Sequence, residues 1–149
     1  MQSLFNKQSY DEIISRIEKL TPSSKGAWGK MNVAQMLAHC KEAFKVPLSE
    51  EKMQGPFFAK LIGWMIKSKL YNDSPWKKNL PTAPNFLIKD ERNFNVEKLE
   101  LLELINRFYK AGPGNVGKHP HPFFGRFTPE QWGMSMYKHL DHHLRQFAA

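Results

Sequence analysis

Three histidines crowd the C-terminal stretch KHLDHHLRQF, Lys138 to Phe147. With Trp132 as the zero direction and a helical step of about 100°, Met136 falls near 40°, His139 near −20°, His143 near 20° and Phe147 near 60°. His139 and His143 thus sit in the middle of an apolar stripe, one turn apart, at the i, i+4 spacing that lets one helix offer two imidazoles to a single ion. His142 lies at the stripe's edge, and Asp141 points to the opposite side. Each inward ring carries polar nitrogens into a dry region and needs a partner there. A core histidine with an ordinary hydrogen bond is the plainer reading of either ring alone, and the pair is what favours a metal.

A third ligand would come from elsewhere in the chain. His39 is the candidate, as the one histidine on another predicted helix, although Val33, Met36, Leu37, Cys40 and Phe44 centre about 110° away from it and make it an edge residue. Other chemical motifs are weaker. Gly112, Gly114 and Gly117 spell GxGxxG, but they follow a helix instead of a strand, so the dinucleotide reading lacks its setting. Cys40 adjoins His39, yet neighbours on a helix do not face each other, and a buried small residue is the reading preferred for it.

The elements that must position these residues announce their starts. Ser9 with Glu12, Asn32 with Gln35, and Thr128 with Gln131 each set a capping oxygen three residues before a Glu or Gln, and Pro129 follows at a first helical position. Helices are expected at about 9 to 20, 32 to 46, 95 to 110 and 128 to 147. In the third, Leu99, Leu102, Ile105, Phe108 and Tyr109 recur on a helical period, and Gly112 supplies the stop. The fold class is therefore all-α, a four-helix bundle with a long crossover connection over 47 to 94. Residues 56 to 71 of that connection are apolar enough for an extra short helix against the bundle, and the proline-containing remainder is expected to run extended, with a short strand at NFLI.

At 149 residues and 41% hydrophobic content the chain is read as a single domain spanning 1–149. One cysteine excludes an internal disulfide and favours a reducing compartment, so a cytoplasmic location is expected, with no signal peptide visible. The apolar run from Gly55 to Tyr71 is broken by Lys60 and Lys67 and falls short of the roughly 20 residues a membrane span needs. A net charge of +8 admits an anionic partner, but the basic residues are scattered among acids. Only PWKKN, Pro75 to Asn79, pairs a basic cluster with an aromatic, and a solvated basic face is preferred over nucleic-acid binding. The apolar 56 to 71 segment would suit a homodimer contact.

NVAQMLAHCKEAF followed about a hundred residues later by YKHLDHHLRQF, with HPFFGRFTPEQWG before it, resembles the DinB-like superfamily, in a subfamily with no assigned function. That resemblance implies a DinB-like four-helix bundle whose metal ligands are His39, His139 and His143. The long proline-containing connection and the HPHPFFG loop depart from the superfamily's thiol transferases. Three neutral imidazoles leave a divalent ion an open position, as in catalytic zinc sites. Zinc or nickel suits such ligands best, with iron or manganese as alternatives. The ion could lower a bound water's pKa to about 7 or hold a thiol as thiolate. Gln35, His142 and Gln146 are candidates to orient the rings. His121, like His119, could reach the metal or touch substrate from its loop, although loop histidines are more often exposed. Phe123 and Phe124 could wall a pocket. The preferred function is a metal-dependent enzyme, a thiol S-transferase or a hydrolase, acting on a small molecule such as a low-molecular-weight thiol. The alternative is a noncatalytic metal- or ligand-binding bundle, and a nucleic-acid-associated protein ranks third.

Overall fold

The computed structural model describes residues 2–55, 63–82 and 84–149. Among these the chain is all-helical: α1 (Lys7–Glu18), α2 (Val33–Leu48), α3 (Phe94–Ala111) and α4 (Pro129–Gln146) are its long helices. Short 3₁₀ turns at Lys67–Leu70, Pro84–Phe86 and Pro113–Asn115 punctuate the connections. No strand occurs among the described residues beyond an isolated bridge between His121 and Gly125. The NFLI strand is thus not formed. Its first part closes into the Pro84–Phe86 turn, where proline's fixed φ suits a tight helical turn.

Helix starts follow their caps. Asn32 and Gln35 form a complete capping box on α2, and Thr128 and Gln131 form another on α4. At α1 the expected cap is displaced by a turn, because Asn6 Oδ1 accepts from Gln8 N at 2.9 Å and from Ser9 N at 3.2 Å, and Ser9 is buried inside the helix. At α3 the cap is Asn93, whose side chain accepts from Val96 N. Helix α2 runs on through Pro47, which the last turn accommodates, and the Pro47 carbonyl accepts from Gly117 N at 2.8 Å.

Helix α2 is the central element. It buries Val33, Met36, Leu37, Cys40 and Phe44 and also Ala34, Ala38, His39 and Lys41, leaving little of its circumference to solvent. It packs most extensively on α3, which turns in Leu101, Ile105 and Phe108 instead of Leu99, left 69% exposed. Phe108 stacks on Phe5 at 4.8 Å and meets the edge of Phe44 at 5.6 Å. A buried ion pair spans the same interface, with Lys41 Nζ 2.5 Å from Glu97 Oε2 and 2.6 Å from Glu100 Oε2. Helix α1 closes on α4 through Ile13 and Ile17, fully buried, and through Arg16, which bonds Asp141 at 2.8 Å and the carbonyl of Ala149 at 3.0 Å. The N-terminal segment lies against Gly133 of α4, where an added Cβ would come within 2.2 Å of Ser3 Oγ.

The connection after α2 reaches α4 by its backbone. Lys138 Nζ donates to the carbonyls of Lys69 and Asn72 and to Asn72 Oδ1, which pins residues 69–72 beside the C-terminal half of α4. The short helix expected over 56 to 71 lies partly outside the described residues. Within them residues 63–66 are helical, but Trp64 and Met65 are 75% and 71% exposed instead of packed on the core. No helix among the described residues is long and apolar enough to cross a membrane.

Candidate metal centre

Where α2 passes α4, His39 meets His139 and His143. Their ring centroids lie 5.0 Å (His39 to His139), 4.7 Å (His39 to His143) and 4.9 Å (His139 to His143) apart, and one candidate ligand atom from each falls within 4.8 Å of the others. His39 and His143 are buried, and His139 is half-buried. His39 faces inward despite its edge position, because a helix buried on nearly all sides has no single apolar face from which to judge.

Two of the rings have their tautomers fixed by neighbours. His39 Nδ1 lies 2.9 Å from the carbonyl of Phe86, which can only accept, so Nδ1 carries the proton and Nε2 the lone pair. Gln146 Nε2 donates to the carbonyl of Trp28 at 2.6 Å, which turns Gln146 Oε1 toward His143 Nδ1 at 2.9 Å. His143 Nδ1 is therefore also the protonated nitrogen, and its Nε2 is bare. The contact of 3.0 Å between His39 Nε2 and His139 Nε2 then needs a proton on His139. One ring proton cannot serve two lone pairs, whereas a cation at the centre of the three would meet every nitrogen. The residues present fit a divalent ion on that count.

Burial suits the same role. Desolvation lowers the pKa of His39, against the Phe86 hydrogen bond. It takes His139 well below the ordinary histidine value, helped by His143, His39 and His142, and pushes His143 down to about 3. All three rings are neutral near pH 7, the form that coordinates metal. No carboxylate joins the cluster among the described residues. Burial also pushes the Cys40 thiol far up, which removes it as a nucleophile.

The other expected residues are distributed differently. Gln146 orients His143 as described. Gln35 spends both ends of its amide elsewhere: Oε1 caps Asn32 N and Nε2 donates to the carbonyl of Asp90 at 3.2 Å. His142 is half-buried beside the trio, its ring 5.2 Å from that of His143, with Trp76 and Trp28 against it. His121 is in its own loop, accepting at Nδ1 from Phe123 N at 3.1 Å and Phe124 N at 3.3 Å, within a ring cluster of Phe124, Phe127 and Trp132. His119 meets the carbonyl of Glu50 at 2.8 Å. Three participants escaped the sequence reading. The Phe86 carbonyl is backbone, which no residue type signals, Trp28 stood in no motif, and Trp76 stood in PWKKN, read there as a solvated basic face.

These observations define an all-helical protein with three imidazoles gathered from two helices at one point. It belongs to a family of proteins of unknown function, DUF1569, whose family model matches residues 2–149. No curated protein and no solved structure gives a significant match. The family match corrects the DinB-like resemblance. That resemblance rested on three short segments, NVAQMLAHCKEAF, HPFFGRFTPEQWG and YKHLDHHLRQF, whereas the family match covers residues 2–149.

Proposed function

We propose that the chain is a divalent-metal-binding protein whose ligands are His39, His139 and His143, with an open coordination position for a small molecule. The observation that carries this reading is the convergence of the three rings, one candidate ligand atom from each lying within 4.8 Å of the others, with His39 and His143 each held at Nδ1 by a neighbour. Three neutral ligands leave the ion its full charge, with which it supplies Lewis-acid activation of a bound small molecule or stabilises it as an anion. Zinc or nickel fits the imidazole set best.

The chain's own residues do the positioning. Phe86, through its carbonyl, and Gln146, through its Oε1, hold two rings with Nε2 inward, and His139 completes the set. The four long helices are read as a bundle with a long crossover between α2 and α3, which brings a ligand on α2 to the pair on α4. A metal-dependent transferase or hydrolase is the enzymatic form of this proposal. A noncatalytic binder is the second reading, favoured by the lack of any carboxylate in the cluster to act as a general base. Metal analysis of the purified protein and of His143→Ala tests the centre, with one equivalent expected in the first and a large loss in the second. Equal metal content in both overturns it. Assays with a thiol and an electrophile, and with simple esters, then divide enzyme from binder, activity that disappears in His143→Ala favouring the enzyme.

A further inference from the structure

The ring cluster continues beyond the three proposed ligands. The Trp76 ring lies 5.8 Å from His139 and 5.5 Å from His142, tilted by 46° and 54°, and Trp28 lies 5.9 Å from His142, tilted by 59°. All four of these residues are half-buried, and the indole rings border His139 and its neighbour His142. Each tryptophan is held in place. Trp76 Nε1 donates to the carbonyl of Lys69 at 2.9 Å, and Trp28 is tied by its own carbonyl to Gln146.

The charge around this border is positive. Lys78 Nζ stands 4.5 Å from the centre of the Trp28 ring, and Lys138 Nζ 6.0 Å from that of Trp76. Lys138 Nζ is engaged by the carbonyls of Lys69 and Asn72, whereas Lys78 is exposed. Asp141, on the same helix as the trio, is engaged with Arg16 and Arg145.

Resting on the metal reading above, we propose that the site takes a small planar aromatic anion, with its acid group directed at the trio and its ring against Trp76 and Trp28. A charged ion with neutral ligands, together with Lys78, selects an anionic group. The indole faces select a flat ring, because tilted or offset aromatic contacts add to simple burial by about two- to tenfold in affinity per pair.

The test uses the full chain loaded with cobalt(II), whose visible absorption reports a change in its ligands, and two probes with similar carboxylates, benzoate and acetate. Equilibrium dialysis is run first, and failure to retain cobalt overturns the metal reading itself and this proposal with it. With cobalt retained, benzoate is expected to bind about tenfold or more tightly than acetate. Trp76→Ala and Trp28→Ala should each bring the two probes closer while cobalt retention stays within about twofold of wild type, and Trp28→Phe should restore part of the preference. Trp28→Ala guards against misfolding of the Trp76 variant, because the Trp28 anchor is a backbone carbonyl that the substitution leaves in place. Equal affinity for benzoate and acetate in the wild type, or a preference that survives in both alanine variants, overturns the aromatic assignment and leaves the metal centre standing.

Discussion

Replacing Gln146 separates ring orientation from helix packing at the candidate centre. The side chain is 3% exposed and makes two hydrogen bonds, accepting from His143 Nδ1 at 2.9 Å and donating to the carbonyl of Trp28 at 2.6 Å. Gln146→Leu removes both. The freed imidazole can rotate or change tautomer, and loss of such an outer partner costs a metal site about 10- to 100-fold in affinity, equivalent to about 1.4–2.8 kcal/mol. Gln146→Glu retains an acceptor for His143 Nδ1 but sets an acceptor against the Trp28 carbonyl. Its metal affinity should stay at or above that of wild type. Both variants strip the donor from that carbonyl, so the metal-free proteins should each lose about 1–3 kcal/mol of stability. Competition with a chromophoric chelator at pH 7.5 gives the affinities, and urea unfolding of the metal-free forms gives the stabilities. Unchanged metal affinity in Gln146→Leu refutes the reasoning, and equal losses in the two variants refute the role assigned to His143 Nδ1.

The remaining predictions concern the frame. Burial pushes His121 down to about 3, so the unfolded chain, titrating near 6.5, binds more protons between those values. The stability from this residue is complete above pH 6.5 and falls away as the pH drops toward 3, by an amount on the order of 5 kcal/mol at most. Urea midpoints of metal-free protein from pH 7.5 to 4 should show the decline, and His121→Asn, which keeps an acceptor for Phe123 N and Phe124 N without titrating, should make it shallower and leave the share that comes from His39, His139 and His143. Glu97 holds Lys41 at 2.5 Å and Arg92 at 3.4 Å with its side chain 6% exposed, so Glu97→Ala should cost roughly 3 kcal/mol in chemical denaturation. A change under 1 kcal/mol would show that Glu100 alone suffices for Lys41. Gly117→Ala meets a φ of 64° and would bring Cβ to 1.9 Å from Trp132 Nε1, so a loss of about 2 kcal/mol or more is expected, read from the thermal midpoint.

What the sequence revealed depended on whether the signal was local. The Asn32–Gln35 and Thr128–Gln131 boxes are four-residue patterns closed by their own side chains, and they place α2 and α4 to within two residues. The same logic put the start of α1 at Ser9. Asn6 spells no box, yet it captures two backbone amides on its own, and a cap that needs one residue leaves a fainter trace. The His139–His143 pair was readable because α4 buries one stripe. His39 could be named as the one histidine on another helix, but its inward direction was not readable, since α2 is enclosed and its apolar residues do not mark one face. Leu99 fails for the opposite reason: the period of α3 admits it to the apolar stripe, while the line along which α2 packs passes through Leu101, Ile105 and Phe108.

The orientation of the proposed ligands depends on the connections as well as on the helices that carry them. Gln35 starts α2 with one end of its amide and with the other holds the carbonyl of Asp90, in the connection that also brings the Phe86 carbonyl to His39. Arg92 reinforces that connection through Asp90 and Glu97. On the other side, the Trp28 carbonyl fixes Gln146, and Gln146 fixes His143. A neutral core histidine needs an acceptor for one ring nitrogen and a donor for the other, and a leucine in its place would need neither. Two rings braced at Nδ1, His39 by the Phe86 carbonyl and His143 by Gln146, turn their Nε2 atoms toward His139, whose own Nε2 lies 3.0 Å from that of His39. A cation that takes the inward lone pairs would stabilise the fold by RT ln(1 + [L]/Kd), about 2.7 kcal/mol at a hundredfold excess over Kd. A thermal midpoint that stays fixed across a zinc titration, in protein freed of metal beforehand, would leave the bracing without that purpose.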